Sequence, residues 1–171
     1  LLTVLAIALS VALFLGVDKT RKAARASFDN TISGTDLVVG APSGQINLLL
    51  YSVFRIGNAT AEISWGAFED LQARPDVAWA VPVSLGDSHR GYRVMGTSQA
   101  YFEHYKYGRK QPLTFRDGQR FEDLFAAVIG AEVARKLGYE LGTPLILTHG
   151  LGRGGLSDHD NRPFRVVGIL A

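Results

Sequence analysis

The sequence predicts an α+β protein: a mixed domain carried on an N-terminal transmembrane and stalk helix. Three observations predict it. Leu1 to Val17 is an uncharged apolar run interrupted only by Thr3, Ser10 and Gly16. Asp18 to Ile32 contains neither proline nor glycine and is rich in Ala, Lys and Arg, so a helix that starts in the run continues beyond it. From Ser33 onward, short β-rich stretches alternate with short helical patterns and with hairpin turns, the order of a mixed fold rather than of a doubly wound sheet. The expected division is residues 1–33 for the membrane helix and stalk and residues 34–171 for the folded domain.

The apolar run admits three readings. Seventeen residues rise about 25 Å as a helix, at the short end for a hydrocarbon core roughly 30 Å thick. A buried soluble helix would keep a polar face, and this run is apolar all round. A signal peptide would find a small-x-small cleavage pattern at Ala24-Arg25-Ala26, but Lys19, Arg21, Lys22 and Arg25 fill the stretch that signal peptides leave uncharged. The membrane helix is therefore the preferred reading. Val17, Ala24, Phe28 and Ile32 then form one narrow stripe suited to packing against another helix, and Gly34 is placed to end the stalk in a left-handed cap. The basic cluster alone would point this end to the cytoplasm by the positive-inside rule.

The later elements follow in order. Asp36 to Val39 reads as a short strand and Pro42-Ser43-Gly44 as a turn. Gln45 to Ser64 is apolar in its first half, without a period that separates strand from helix. Ser64 is an N-cap for a helix through Gln72 with Trp65, Phe68 and Leu71 on one face. Val77 to Val83 reads as a strand, Gly86 to Gly91 as its turn, and Tyr92 to Gly96 as the returning partner. Thr97 or Ser98 caps a helix from Gln99 to Tyr105, and Leu113 to Phe121 is extended around Asp117-Gly118. Ala126 to Gly130 is a strand and Ala131 to Leu137 a helix stopped by Gly138. Leu145 to Thr148 and Phe164 to Leu170 are the last two strands. The chain starts without Met and stops inside an apolar stretch, so it is read as a fragment.

Composition narrows the function classes. With 47% hydrophobic and 20% charged residues the chain is not of the disordered class. It has no cysteine, which excludes a disulfide framework and a thiolate metal site. A net charge of +2 gives no support to nucleic-acid binding, and Tyr101, Phe102, Tyr105 and Tyr107, with Lys106, Arg109 and Lys110, read as a short helix with its aromatic face in the core rather than as a nucleic-acid surface. Gly150 to Gly155 matches G-x-G-x-x-G, but a loop sequence follows where a phosphate site needs a helix. Asp158-His159-Asp160 with His149 could supply metal ligands; a polar hairpin loop is the simpler reading. His89 and His104 read as solvated or core-edge side chains, and no nucleophile elbow is present. No catalytic, cofactor or metal residue is assigned, and the chain is not expected to be an enzyme.

The order of parts carries a resemblance. The membrane helix and stalk, "SGTDLVVGAPSG", a mixed domain, "VIGAEVARKLGYELGTPLIL" and "RPFRVVGILA" together resemble the periplasmic core domain of MacB/FtsX-type ABC transporter permeases. Val128 to Leu147 and Pro163 to Ala171 are the most specific pieces, and Gln45 to Phe125 matches only loosely. The resemblance implies a permease in the bacterial inner membrane, its domain outside the cytoplasm and its first helix entering from inside. It implies an ABC ATPase subunit, a second permease copy, membrane lipid and a periplasmic adaptor or substrate protein as partners, with no cofactor and no nucleic acid. ATP-driven closure would reach the outer domain through the stalk and move an envelope substrate. The alternative is a membrane-anchored sensor or ligand-binding module. Contact candidates are the stalk stripe and, in the apolar segment, Leu48, Leu49, Leu50, Tyr51 and Phe54, for which burial in the core is the preferred alternative.

Overall fold

A computed structural model describes residues 1–31, 33–57, 61–108, 110–149 and 163–171. Its first element is α1, Leu2–Thr31, a single helix of 30 residues. At 1.5 Å per residue it is about 45 Å long, roughly 15 Å more than a hydrocarbon core needs. Gly34 follows with φ 86°, in the left-handed region where glycine costs least. The membrane helix and stalk are thus one rod, as the absence of breakers predicts.

The expected strand Asp36–Val39 does not form. The segment is without secondary structure, and Leu37 and Val39 are exposed. Strand propensity is realised only against a neighbour, and this segment pairs with no strand among the described residues. The undecided segment after it is helical: α2 spans Gln45–Ser52. Helix α3, Trp65–Gln72, begins where predicted, with the Ser64 hydroxyl accepting from the Ala67 N–H at 3.2 Å.

The expected strand over Val77–Val83 shrinks to β1, Val83–Ser84. Pro82 lacks an N–H and cannot continue the ladder backward. Next come β2, Asp87–His89, and β3, Tyr92–Arg93, joined by Arg90 (φ 48°) and Gly91 (φ 85°). Two successive positive φ values make the tight hairpin turn whose twist suits the flanking strands, so the turn is shorter than the Gly86–Gly91 stretch the sequence suggests. Strand β4, Gly96–Thr97, pairs with β1 and extends the same hairpin, and the Thr97 hydroxyl donates to the Pro82 carbonyl at 2.7 Å. Thr97 is therefore a strand residue rather than a cap. Helix α4 covers Ala100–His104 without a side-chain cap.

A two-stranded ladder follows, β5 (Lys106–Tyr107) with β6 (Gln111–Pro112), then β7, Phe115–Gly118. The C-terminal unit is β8 (Ala126–Ile129), α5 (Ala131–Leu137), β9 (Pro144–Leu145), β10 (Thr148–His149) and β11 (Phe164–Leu170). The single strand expected over Leu145–Thr148 is split between two sheets: β9 pairs with β11, and β10 with β2.

Strand β11 organises the core. It runs parallel to β8 along one edge, while β7 and β9 pair antiparallel with it at its two ends. Helix α5 makes the crossover between the two parallel strands, which such a pair requires. Ile129, Ala134, Leu145, Val166 and Ile169 form the buried cluster, with Ala127, Val133, Tyr139 and Phe164 packed against it. Ile169 and Val166 are essentially inaccessible, each contributing about 1.5–3 kcal/mol by burial. Gly138 closes α5 at φ 67°, ψ 36°, and the following Tyr139 N–H donates to the Ala134 carbonyl.

Candidate functional site

Two features follow from the architecture: a bare apolar helix and a joint that fastens it to the folded domain. Residues Leu2–Ala26 of α1 are long and apolar enough to cross a membrane, and none of that surface is buried. Two hydroxyls inside this span bond within the helix. Ser10 donates to the Ala6 carbonyl at 2.9 Å and Thr20 to the Gly16 carbonyl at 2.8 Å. In hydrocarbon no water could do this, so a hydroxyl bonded four residues back is the arrangement lipid requires. Lys22 pairs with Asp18 at 2.7 Å just past the run, where the chain meets polar surroundings.

Of the predicted stalk stripe, Val17 and Ala24 are exposed and share a face with Leu13, Gly16 and Thr20. Phe28 lies within α1, but its side chain is outside the described residues, as is Ile32 altogether. At the foot of the stalk the Ser33 N–H donates to the Lys106 carbonyl of β5 at 3.0 Å. Helix α1 and β5 are in contact there. Strand β5 continues directly from α4, whose Phe102 ring packs against Phe115 of β7 at 5.7 Å and edge-on against Phe121 at 5.1 Å. The rod is therefore joined to the interior of the domain through one hairpin and one aromatic cluster. The sequence anticipates the rod and the packing of Phe102, but not the hairpin that receives it, which takes up Tyr107 as a strand residue and leaves its ring exposed.

The candidate contact segment divides in two. Leu49 remains exposed, together with its neighbour Ile46, whereas Leu48, Leu50, Tyr51 and Phe54 are half-buried. Leu48 lies against Gly40, where a Cβ would collide with its Cδ1. The Tyr51 hydroxyl accepts from the Leu85 N–H at 2.9 Å and donates to the Leu85 carbonyl at 2.8 Å. Most of the segment thus fixes α2 to the domain, and its free apolar face is the Ile46 and Leu49 side.

The end of α2 holds a feature the sequence reading missed. The Ile56 N–H reaches back to the Leu50 carbonyl at 2.9 Å, a bond that wraps the helix terminus through a left-handed residue. Glycine usually takes that position; here it is Arg55, at φ 59°. A bulky residue in this region costs roughly 1–2 kcal/mol. The Arg55 guanidinium donates to the Ser52 carbonyl. Arg93 donates to the Gly57 carbonyl at 2.6 Å. Burial, with the neighbouring Tyr105 ring stacked at 4.6 Å, pushes the Tyr101 phenol up to about 12. The signal in the sequence was an arginine two residues before Gly57, readable only once the helix end is known.

The histidines are structural in their contacts. His89 Nδ1 donates to the Ile146 carbonyl at 2.7 Å, which leaves Nε2 to accept from the Tyr139 hydroxyl at 2.9 Å. His104 stacks on Trp79 at 4.8 Å. Among the described residues no three His, Cys, Asp or Glu side chains gather as a metal site. The Asp158-His159-Asp160 loop, the Gly150–Gly155 loop and Asn58-Ala59-Thr60, a three-residue match to a glycosylation acceptor, lie outside the described residues, as does the His149 side chain.

A membrane-length helix jointed to an α+β domain closed by β8, α5 and β11 is the arrangement on which comparison with known families bears. The description "MacB-like periplasmic core domain" matches residues 1–171, the whole chain. The chain belongs to that family. No curated protein and no solved structure matches it. This MacB-like domain is thus of the ABC-transporter permease type: a membrane protein with an extracytoplasmic domain.

Proposed function

We propose that this MacB-like chain is a transmembrane permease subunit that couples ATP hydrolysis by a partner ATPase to movement of an envelope substrate. The observation that carries the reading is the unbroken helix Leu2–Thr31 ending in the Ser33–Lys106 joint. A flexible linker would dissipate displacement, whereas a helix bonded to a β hairpin conveys it. A second permease copy supplies the natural partner for the Val17 and Ala24 face, and a periplasmic adaptor or substrate protein a partner for the outer domain. The domain moves its substrate without transforming it; we assign it no catalytic step and no cofactor. The membrane is the bacterial inner membrane, and residues from about 34 onward face the periplasm.

Because the chain has no cysteine, single-cysteine labelling reads the topology directly. Glu122→Cys, at an exposed position, should react with a membrane-impermeant maleimide in intact spheroplasts, and the protein should co-purify with an ABC ATPase. Labelling only after lysis would overturn the placement. Outside labelling with no ATPase in the complex would favour a membrane-anchored sensor instead.

A further inference from the structure

The termination of α2 is one of three described places, with Arg90 and Lys110, where a charged residue takes a positive φ. Arg55 occupies the left-handed position where glycine would serve the fold better, and its guanidinium is held by the Ser52 carbonyl. Arg93, from β3, is anchored to the Gly57 carbonyl two residues further along, so one short turn gathers both cations. Each guanidinium has five N–H donors, and the carbonyl anchors take few of them. Both side chains are half-exposed, and among the described residues neither enters an ion pair with a carboxylate. A pure loop fastener at this position would need no charge. An outlier kept at a cost to the fold points to use rather than packing.

We propose that Arg55 and Arg93 form an oxyanion-binding site on the outer domain, one that takes a carboxylate or phosphate group presented by a ligand. The two forks are chemically matched to such a group, since guanidinium donates paired N–H bonds to two oxygens of one anion. Backbone carbonyls fix one nitrogen of each fork, so part of the ordering entropy of the long side chains is spent before binding.

The test uses the full chain in detergent micelles, titrated in parallel with inorganic phosphate and with acetate and followed by amide chemical shifts at residues 52–57 and 93. Saturable binding of at least one anion is expected, and the stronger of the two identifies the oxyanion. Arg55→Gly places glycine where the backbone favours it, so its melting temperature should hold or rise while affinity falls about tenfold or more. Arg93→Gln should lower affinity by a similar factor without touching the strained turn. Absence of saturation with both anions, or variants that bind as the parent does, overturns the proposal and leaves the arginines as loop fasteners. Binding is read directly, so this outcome is independent of whether the chain transports anything.

Discussion

The Tyr51 hydroxyl takes the place of a β-ladder for Leu85, accepting its N–H at 2.9 Å and donating to its carbonyl at 2.8 Å. Leu85 is buried, so neither group can turn to water. Tyr51→Phe keeps the ring and strands both backbone groups. An unsatisfied buried group costs about 1–3 kcal/mol, and the variant should lose at least about 2 kcal/mol in urea unfolding. A loss under about 0.5 kcal/mol would mean that solvent reaches Leu85 once the hydroxyl is gone.

Gly168 and Gly118 face each other across β11 and β7. A Cβ on Gly168 would run into the Gln119 carbonyl, and one on Gly118 into the Val167 carbonyl. Backbone cannot step aside as a side-chain tip can. Gly168→Ala should therefore destabilise by about 1–3 kcal/mol. Gly66 in α3 has open space around it and is the matched control. Gly66→Ala should be neutral or stabilise by roughly 0.5–1 kcal/mol, because alanine restricts the unfolded chain and favours helix. Equal effects at the two sites would contradict the close approach of the strands.

The parts legible in the sequence are those whose signals are local. Ser64 caps α3 through its own hydroxyl, Gly138 ends α5 through its own φ, and β11 is dense in β-branched residues that only a covered strand can use. Asp36–Val39 has the same local character, but its outcome depends on a strand neighbour that no local pattern reveals. Pro82 explains why the stretch before β1 could not pair, yet a proline marks an edge as readily as an end. The candidate site was less legible for the same reason. Tyr51 reads as a contact candidate or a core residue until the chain brings Leu85 to it from 34 residues away. Arg55 reads as an ordinary loop charge until the end of α2 is placed.

Tyr101 supplies a pH dependence with a definite sign. Burial disfavours the phenolate, so the folded-state value lies at about 12 against the ordinary 10. A raised value means the folded state holds its proton longer than the unfolded one. The contribution is fully present below pH about 10 and is lost as pH rises through about 12, at up to about 1.4 kcal/mol per pH unit. In an absorbance titration, one of the six tyrosines should ionise after the others, and Tyr101→Phe should remove that late step. A late step that survives the substitution would assign it to another ring.

The joint at the foot of the stalk is testable through the one atom that makes it. Ser33→Pro removes the N–H that reaches the Lys106 carbonyl, whereas Ser33→Ala keeps it. Because β5 pairs only with β6 among the described strands, freeing its first carbonyl should loosen the whole hairpin. Amide exchange over residues 104–112 should accelerate in the proline variant and stay near the parent rate in the alanine variant. Under the proposed coupling to an ABC ATPase, the proline variant reconstituted with that partner should then move less substrate per ATP consumed, because that coupling routes displacement of α1 through this hairpin. Identical exchange and identical coupling in the two variants would show that the hydrogen bond bears no load, and would shift the connection to the aromatic contacts of α4.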